Sequence, residues 1–122
     1  MADDIKKSYF TTGQMRNALI QIEDQMVHSG WMPSIIISIN RGGCIPGVYL
    51  SHRLNKSHEV IDIRLRDHTV KPDLRVLEKA FAWQKKILIL DDINDTGATF
   101  KYILDNFGKR DDRIKFAALI NN

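Results

Sequence analysis

Met15, Leu19, Ile22 and Met26 recur at the spacing that lines one face of an α-helix. Thr11 with Gln14 makes a capping box before them and Gly30 closes the run, so the pattern predicts an amphipathic helix over Thr12–Ser29. The pattern then changes period. Ile35–Ile39, IIISI, is a short β-branched apolar run with Pro33 before it and NRGG after it, as expected of a strand buried on both faces. Pro46 suits the first turn of a helix reaching about Leu54. From His58 to Leu65 the residues alternate, with Ile61, Ile63 and Leu65 on one side and Val60, Asp62 and Arg64 on the other, which predicts a strand nearer a sheet edge.

Arg66–Gln84 is charged, contains Pro72 and is long for a connection, so it reads as a functional flap or a small excursion carrying Leu74, Val76, Phe81 and Trp83. Lys86–Leu90 predicts a second buried strand. Thr99–Phe107 predicts a helix with Phe100, Ile103, Leu104 and Phe107 inward and Gly108 closing it, and Lys115–Ile120 a last strand. Strands alternating with helices in this order imply an α/β fold: an open, mainly parallel sheet with helices on both faces. If the second strand lies on one side of the first and the third on the other, a switch point falls between Ile35–Ile39 and Lys86–Leu90. Ligands bind beyond the carboxyl ends of the strands at such a point. NRGG and DDINDTGAT follow those two strands.

Composition narrows the picture. A chain of 122 residues, 43% hydrophobic and without internal repeat or linker, is expected to form one domain over residues 1–122. Eighteen Lys and Arg against 15 Asp and Glu leave +3, spread along the chain, which suits a small anionic ligand and supplies no basic stripe for nucleic acid. Cys44 is the single cysteine, so there is no intrachain disulfide and no Cys/His zinc cluster, and a reducing cytoplasm is the natural compartment. No run approaches the ~18 apolar residues of a membrane helix.

The chemistry lies in the two loops. In Thr96, Gly97, Ala98 and Thr99 the glycine lets the backbone approach an anion, while successive N–H groups and a helix N-terminus point at it. Asp91 and Asp92 repel the same anion and need hydroxyl groups or a cation instead. Neighbouring carboxylates at a strand end point to opposite sides, so one can accept hydrogen bonds from ribose hydroxyls while the other faces outward or binds hydrated Mg²⁺. Turn and capping preferences alone explain any two of these polar residues but not three carboxylates, Asp91, Asp92 and Asp95. A calcium loop fails because Ile103 stands where its closing Glu belongs, and no Walker A or GxGxxG sequence is present. In NRGGCIPG, Gly42 and Gly43 with Arg41 offer a nest of donors suited to pyrophosphate oxygens.

ILILDDINDTGAT resembles the phosphoribosyl-pyrophosphate (PRPP) signature of the type I phosphoribosyltransferases. IIISINRGGCIPGVYLSHRL is similar to the strand, pyrophosphate loop and helix of their purine branch, above all the small bacterial xanthine–guanine and hypoxanthine enzymes, and the likeness runs from Tyr9 to Ile120. Asn94 departs from it, standing where the signature has an aliphatic residue. The resemblance implies a Rossmann-like phosphoribosyltransferase core and Mg²⁺-dependent transfer from PRPP to a purine base in nucleotide salvage, with pyrophosphate released. It implies that Asp91 and Asp92 hold the ribose hydroxyls and the metal, that Asp95, Thr96, Gly97, Ala98 and Thr99 hold the 5′-phosphate, and that Arg41, Gly42 and Gly43 hold pyrophosphate. Asp95 matches the general acid/base near the purine, and Arg66–Gln84 matches a mobile flap whose Arg66, Lys71 and Arg75 could meet the leaving group. A homo-oligomer, dimer or tetramer, is also implied.

The chain ends IKFAALINN, with Asn122 where the 6-oxopurine enzymes place a lysine on the purine oxygen and without the hood segment that follows it there. On that comparison the 122-residue chain is expected to bind PRPP better than it transfers ribose. A non-catalytic PRPP- or nucleotide-binding regulatory module, including one associated with nucleic acid, is the alternative.

Overall fold

The computed structural model describes residues 12–40, 44–63, 74–94, 97–107 and 113–121. The chain divides into two compact units, Met1–Trp31 and Met32–Asn122, a division that falls inside the span expected as one domain. In the first unit, helix α1 covers Thr12–Ser29, the range its periodicity predicts. Leu19, Ile22 and Met26 are buried. Gly30, at φ +74°, takes the left-handed conformation that ends the helix. Its N–H donates to the Val27 carbonyl and that of Trp31 to the Met26 carbonyl, each at 3.2 Å, the paired bonds of a Schellman cap.

The second unit runs β1 (Ile35–Asn40), α2 (Cys44–Leu54), β2 (Ser57–Asp62), α3 (Arg75–Ala82), β3 (Ile87–Asn94), α4 (Ala98–Phe107) and β4 (Ile114–Asn121). The four strands form one sheet in the order β2-β1-β3-β4 with parallel pairing throughout. From β1 the chain crosses to β2 on one side and then returns past β1 to place β3 on the other. The switch point expected from the sequence therefore lies between β1 and β3.

Each face of the sheet has its own cover. Ile35, Ile37 and Ile39 of β1, Ile61 and Ile63, and Ile87 and Ile89 of β3 join Leu74, Leu77 and Ala80 around α3 and Ile103 of α4 in one core cluster. Phe100 and Phe116 pack beside it with ring centroids 4.8 Å apart. Ile36, Ser38, Leu88 and Leu90 alternate onto the opposite face, where they are fully buried and α2 packs across β1 and β2. Burial of each Ile or Leu contributes about 1.5–3 kcal/mol, which is why the runs IIISI, apolar but for Ser38, and ILIL suit central strands. At the edge, β2 buries Ile61 and leaves Val60 exposed, as the alternation predicts, while Glu59, on the face of Ile61, is also exposed; Arg64 and Leu65 lie outside the described residues.

Two elements differ in part from the sequence expectation. Within Arg66–Gln84, residues 75–82 are helical and Leu74, Leu77 and Ala80 belong to the core, as the reading of a small packed excursion has it for this part; the flap reading of residues 66–73 falls outside the described residues. Trp83, at its end, is 71% exposed rather than carried inward. Strand β3 also continues beyond Leu90 through Asp91–Asn94, because β4 pairs with it there: Asp91 with Ala118, Ile93 with Ile120 and Asn94 with Asn121.

Candidate functional site

Strands β1 and β3 pair from Ile35 with Ile87 to Ser38 with Leu90. Past Leu90 the β3 ladder continues only toward β4. Asp91 and Asp92 thus sit past the last pair of β3 with β1, at the carboxyl end of the strand beside the switch point, where open parallel sheets bind ligands. Both carboxylates belong to β3, whose pairing with β4 is made on either side of Asp92, at Asp91 with Ala118 and at Ile93 with Ile120.

Asp91 and Asp92 are both half-buried. Asp91 Oδ1 accepts the backbone N–H of Asp92 at 2.8 Å. Burial, chiefly, pushes the Asp91 carboxyl up from 3.8 to about 7; a hydrogen bond with the Asp92 carboxyl adds to the rise, the Asp92 N–H opposes it, and the negative charge of Asp92 reinforces it. Strand alternation would send adjacent side chains to opposite faces, yet this interaction keeps the two carboxyl groups in contact. Such a pair fits a hard cation or a sugar diol, since either supplies the positive charge or donors that let both oxygens ionise. Among the described residues no group of three His, Cys, Asp or Glu side chains could hold a metal. An ion here would take one or two carboxylates from the protein and the rest of its oxygens from ligand and water, which is the habit of Mg²⁺.

Only Asp95 and Thr96 separate β3 from Gly97, so the start of α4 lies within a few residues' reach of the carboxylate pair. Gly97 has φ +76°, a conformation that favours glycine, and its carbonyl accepts the Lys101 N–H at 2.8 Å as the first helical bond. Ala98 opens the helix and Thr99, half-buried, stands in its first turn with its hydroxyl. A helix N-terminus with N–H groups and a hydroxyl at one end attracts an anion, and each such interaction contributes roughly 0.3–1 kcal/mol when exposed.

Asp95, Thr96, Arg41, Gly42 and Gly43 lie outside the described residues. Their flanks do not: β1 ends at Asn40 and α2 begins at Cys44, and the carboxyl end of β1 lies at the same end of the parallel sheet as that of β3. Asp91, Asp92, Gly97, Ala98 and Thr99 are therefore brought to the carboxyl end of β3. Sequence reasoning misses Ser38 and His58, whose side chains meet beneath α2 with Oγ and Nε2 2.7 Å apart. The available signal is Ser38 itself, the one polar residue within IIISI.

The model of the phosphoribosyl transferase domain family matches residues 6–122. Among solved structures, the purine phosphoribosyltransferase of Pyrococcus horikoshii is 30% identical, with 91% of this chain and 75% of that chain covered and a TM-score of 0.66. A hypothetical protein from Neisseria gonorrhoeae with bound ppGpp shares the fold at 19% identity and a TM-score of 0.72, covering 91% of this chain and 69% of that one. The orotate phosphoribosyltransferase of Aeropyrum pernix shares it at 12% identity and 0.55, covering 95% and 72%. A parallel β2-β1-β3-β4 sheet, a carboxylate pair leading into a glycine-started helix, and a family match over nearly the whole chain together make it a member of the phosphoribosyl transferase domain family, a type I phosphoribosyltransferase.

Proposed function

We propose that the chain transfers the phosphoribosyl group of PRPP to a purine base with Mg²⁺, releasing pyrophosphate, as a cytoplasmic salvage enzyme acting as a homo-oligomer. The observation that carries this reading is the contacting Asp91–Asp92 pair placed just before the Gly97–Thr99 turn, which gives one ligand both a place for hydroxyls or a cation and a place for an anion. The 30% identity to a purine phosphoribosyltransferase favours a purine over orotate, whose enzyme shares the fold at 12%. No helix among the described residues is long and apolar enough to cross a membrane.

Asp91 and Asp92 hold the ribose hydroxyls and the metal, and residues 95–99 hold the 5′-phosphate. Arg41, Gly42 and Gly43 receive the pyrophosphate. Mg²⁺, when bound, supplies positive charge that the leaving pyrophosphate needs. The protein's own task is to orient the ribose so that the base nitrogen meets its anomeric carbon, and to stabilise the charge that develops there. Asp95 exchanges the proton of the attacking base.

One alternative has an observation in its favour: the Neisseria gonorrhoeae neighbour was solved with ppGpp bound, which fits a nucleotide-sensing module on the same fold. Calorimetric titration separates the regions of the site. A hydrogen bond to a charged group contributes ~1.5–3 kcal/mol, so Asp92→Asn should weaken Mg²⁺–PRPP binding roughly ten- to hundredfold. Thr99→Ala should weaken ribose 5-phosphate whether or not Mg²⁺ is present. Unchanged affinity in both variants would remove the assignment, and tight ppGpp binding without turnover on any base would favour the sensor.

A further inference from the structure

We infer that Ser38 and His58 are positioning residues for the pyrophosphate-binding end of the site, acting through Gly47; this rests on the function proposed above. Ser38 lies in the middle of β1 and is fully buried in a layer otherwise made of Ile36, Leu88 and Leu90. Its hydroxyl meets His58 Nε2 of the neighbouring strand at 2.7 Å. Burial of the imidazole lowers its pKa and His52 on α2 lowers it further, against the opposing pull of Glu59. A neutral ring joined to a hydroxyl has one orientation fixed by that bond.

Gly47 of α2 presses its backbone onto this pair. A Cβ at Gly47 would overlap both Ser38 Oγ and His58 Nε2. Gly30 and Gly97 are the glycines with positive φ among the described residues, so Gly47 is there for space and not for backbone freedom. The separation of α2 from β1 is therefore set where Gly47, Ser38 and His58 meet. Ser38 stands two residues before the end of β1 and Gly47 within the first turn of α2, so this contact fixes the spacing of the two elements that residues 41–43 connect in the sequence. Asp91 and Asp92 lie on β3 past its last pair with β1, where Asp91 pairs with Ala118 of β4, and Thr99 lies on α4, whose Ile103 is held in the core cluster. A disturbance at Gly47 should thus reach pyrophosphate and spare ribose 5-phosphate.

The test is calorimetric titration of the full chain with Mg²⁺–pyrophosphate and, separately, with ribose 5-phosphate. Misplacement by about 1 Å can reduce a positioned interaction roughly a hundredfold, so Gly47→Ala should lower pyrophosphate affinity by roughly ten- to a hundredfold and ribose 5-phosphate affinity by less than about twofold. Because Ser38 Oγ is the nearest atom in the way and His58 Nε2 the next, the double variant Gly47→Ala/Ser38→Ala should recover part of the lost pyrophosphate affinity while ribose 5-phosphate affinity stays as in the wild type, a selectivity that a merely destabilising substitution does not produce. Ser38→Ala alone, which creates no overlap, should lower pyrophosphate affinity selectively by several-fold, and it decides the matter if Gly47→Ala does not fold. Equal loss of both ligands, no loss of either, or a double variant no better than Gly47→Ala would overturn the inference. A wild-type chain that binds neither ligand would overturn the proposed function, and the inference with it.

Discussion

Asp91 Oδ1 accepts the backbone N–H of Asp92 at 2.8 Å, and the two adjacent carboxyl groups at the end of β3 are both half-buried. This arrangement suits a ligand better than it suits the protein alone. An unliganded carboxylate pair at this burial is strained electrostatically, and the strain is relieved by a proton, a cation or donors from a sugar.

Stability should record that strain. Asp91 titrates at 3.8 when unperturbed and at about 7 in the folded chain, so between these values the folded state holds a proton that the unfolded state has lost. Stability from this group is present below pH 3.8 and falls as pH rises through about 7. Asp91→Asn removes the dependence. Without ligand it should raise the melting temperature at pH 8 and change it little at pH 4, read by scanning calorimetry; a lower melting temperature at pH 8 would show that the carboxylate stabilises the fold.

Helix α3 supplies a second prediction. Leu77 is fully buried in the core cluster, and replacing such a residue by Ala costs ~2–5 kcal/mol. Leu77→Ala should therefore lower the urea midpoint of the whole second unit in one transition. A flap would tolerate the change with no shift at all.

His58 gives a dependence of the opposite sign. Its pKa is lowered from 6.5 by burial, so protonation is easier in the unfolded chain; the stability this group contributes is full above pH 6.5 and is lost as pH falls toward and through the folded value. Asp91 gains stability over the same range, so the measurement belongs in the Asp91→Asn background. There, lowering pH from 7.5 to 5 should reduce the urea midpoint, and His58→Gln should flatten that fall. An equally steep fall in His58→Gln would place the titration elsewhere.

Much of the fold is legible in the sequence because its signals are local and periodic. The Met15–Met26 stripe, Gly30 and the capping pattern locate α1 to the residue, and the mostly apolar runs locate β1 and β3 because a strand covered on both faces takes a polar side chain only where a partner waits for it, as His58 does for Ser38. What the sequence hides depends on neighbours. Asp91–Asn94 reads as loop because of its carboxylates, yet strand pairing is made by the backbone and β4 supplies the partner. Leu74, Leu77 and Ala80 carry a helical stripe, but it spans only two turns beside Pro72 and a run of charges, and its packing on Ile61 and Ile63 comes from residues distant in the chain. In the site, the residue types of DDINDTGAT convey the chemistry, whereas the half-burial of the two carboxyl groups and the close approach of Gly47 to Ser38 and His58 exist only once the sheet has formed.

The most direct test is steady-state pyrophosphate release from PRPP and Mg²⁺, measured with hypoxanthine, guanine and xanthine in turn and with orotate as the pyrimidine control. Release should require both a purine and Mg²⁺ and should be lost in Asp92→Asn. Release with orotate but with no purine would contradict the assigned base class, and PRPP binding without release on any base would contradict phosphoribosyl transfer by this chain.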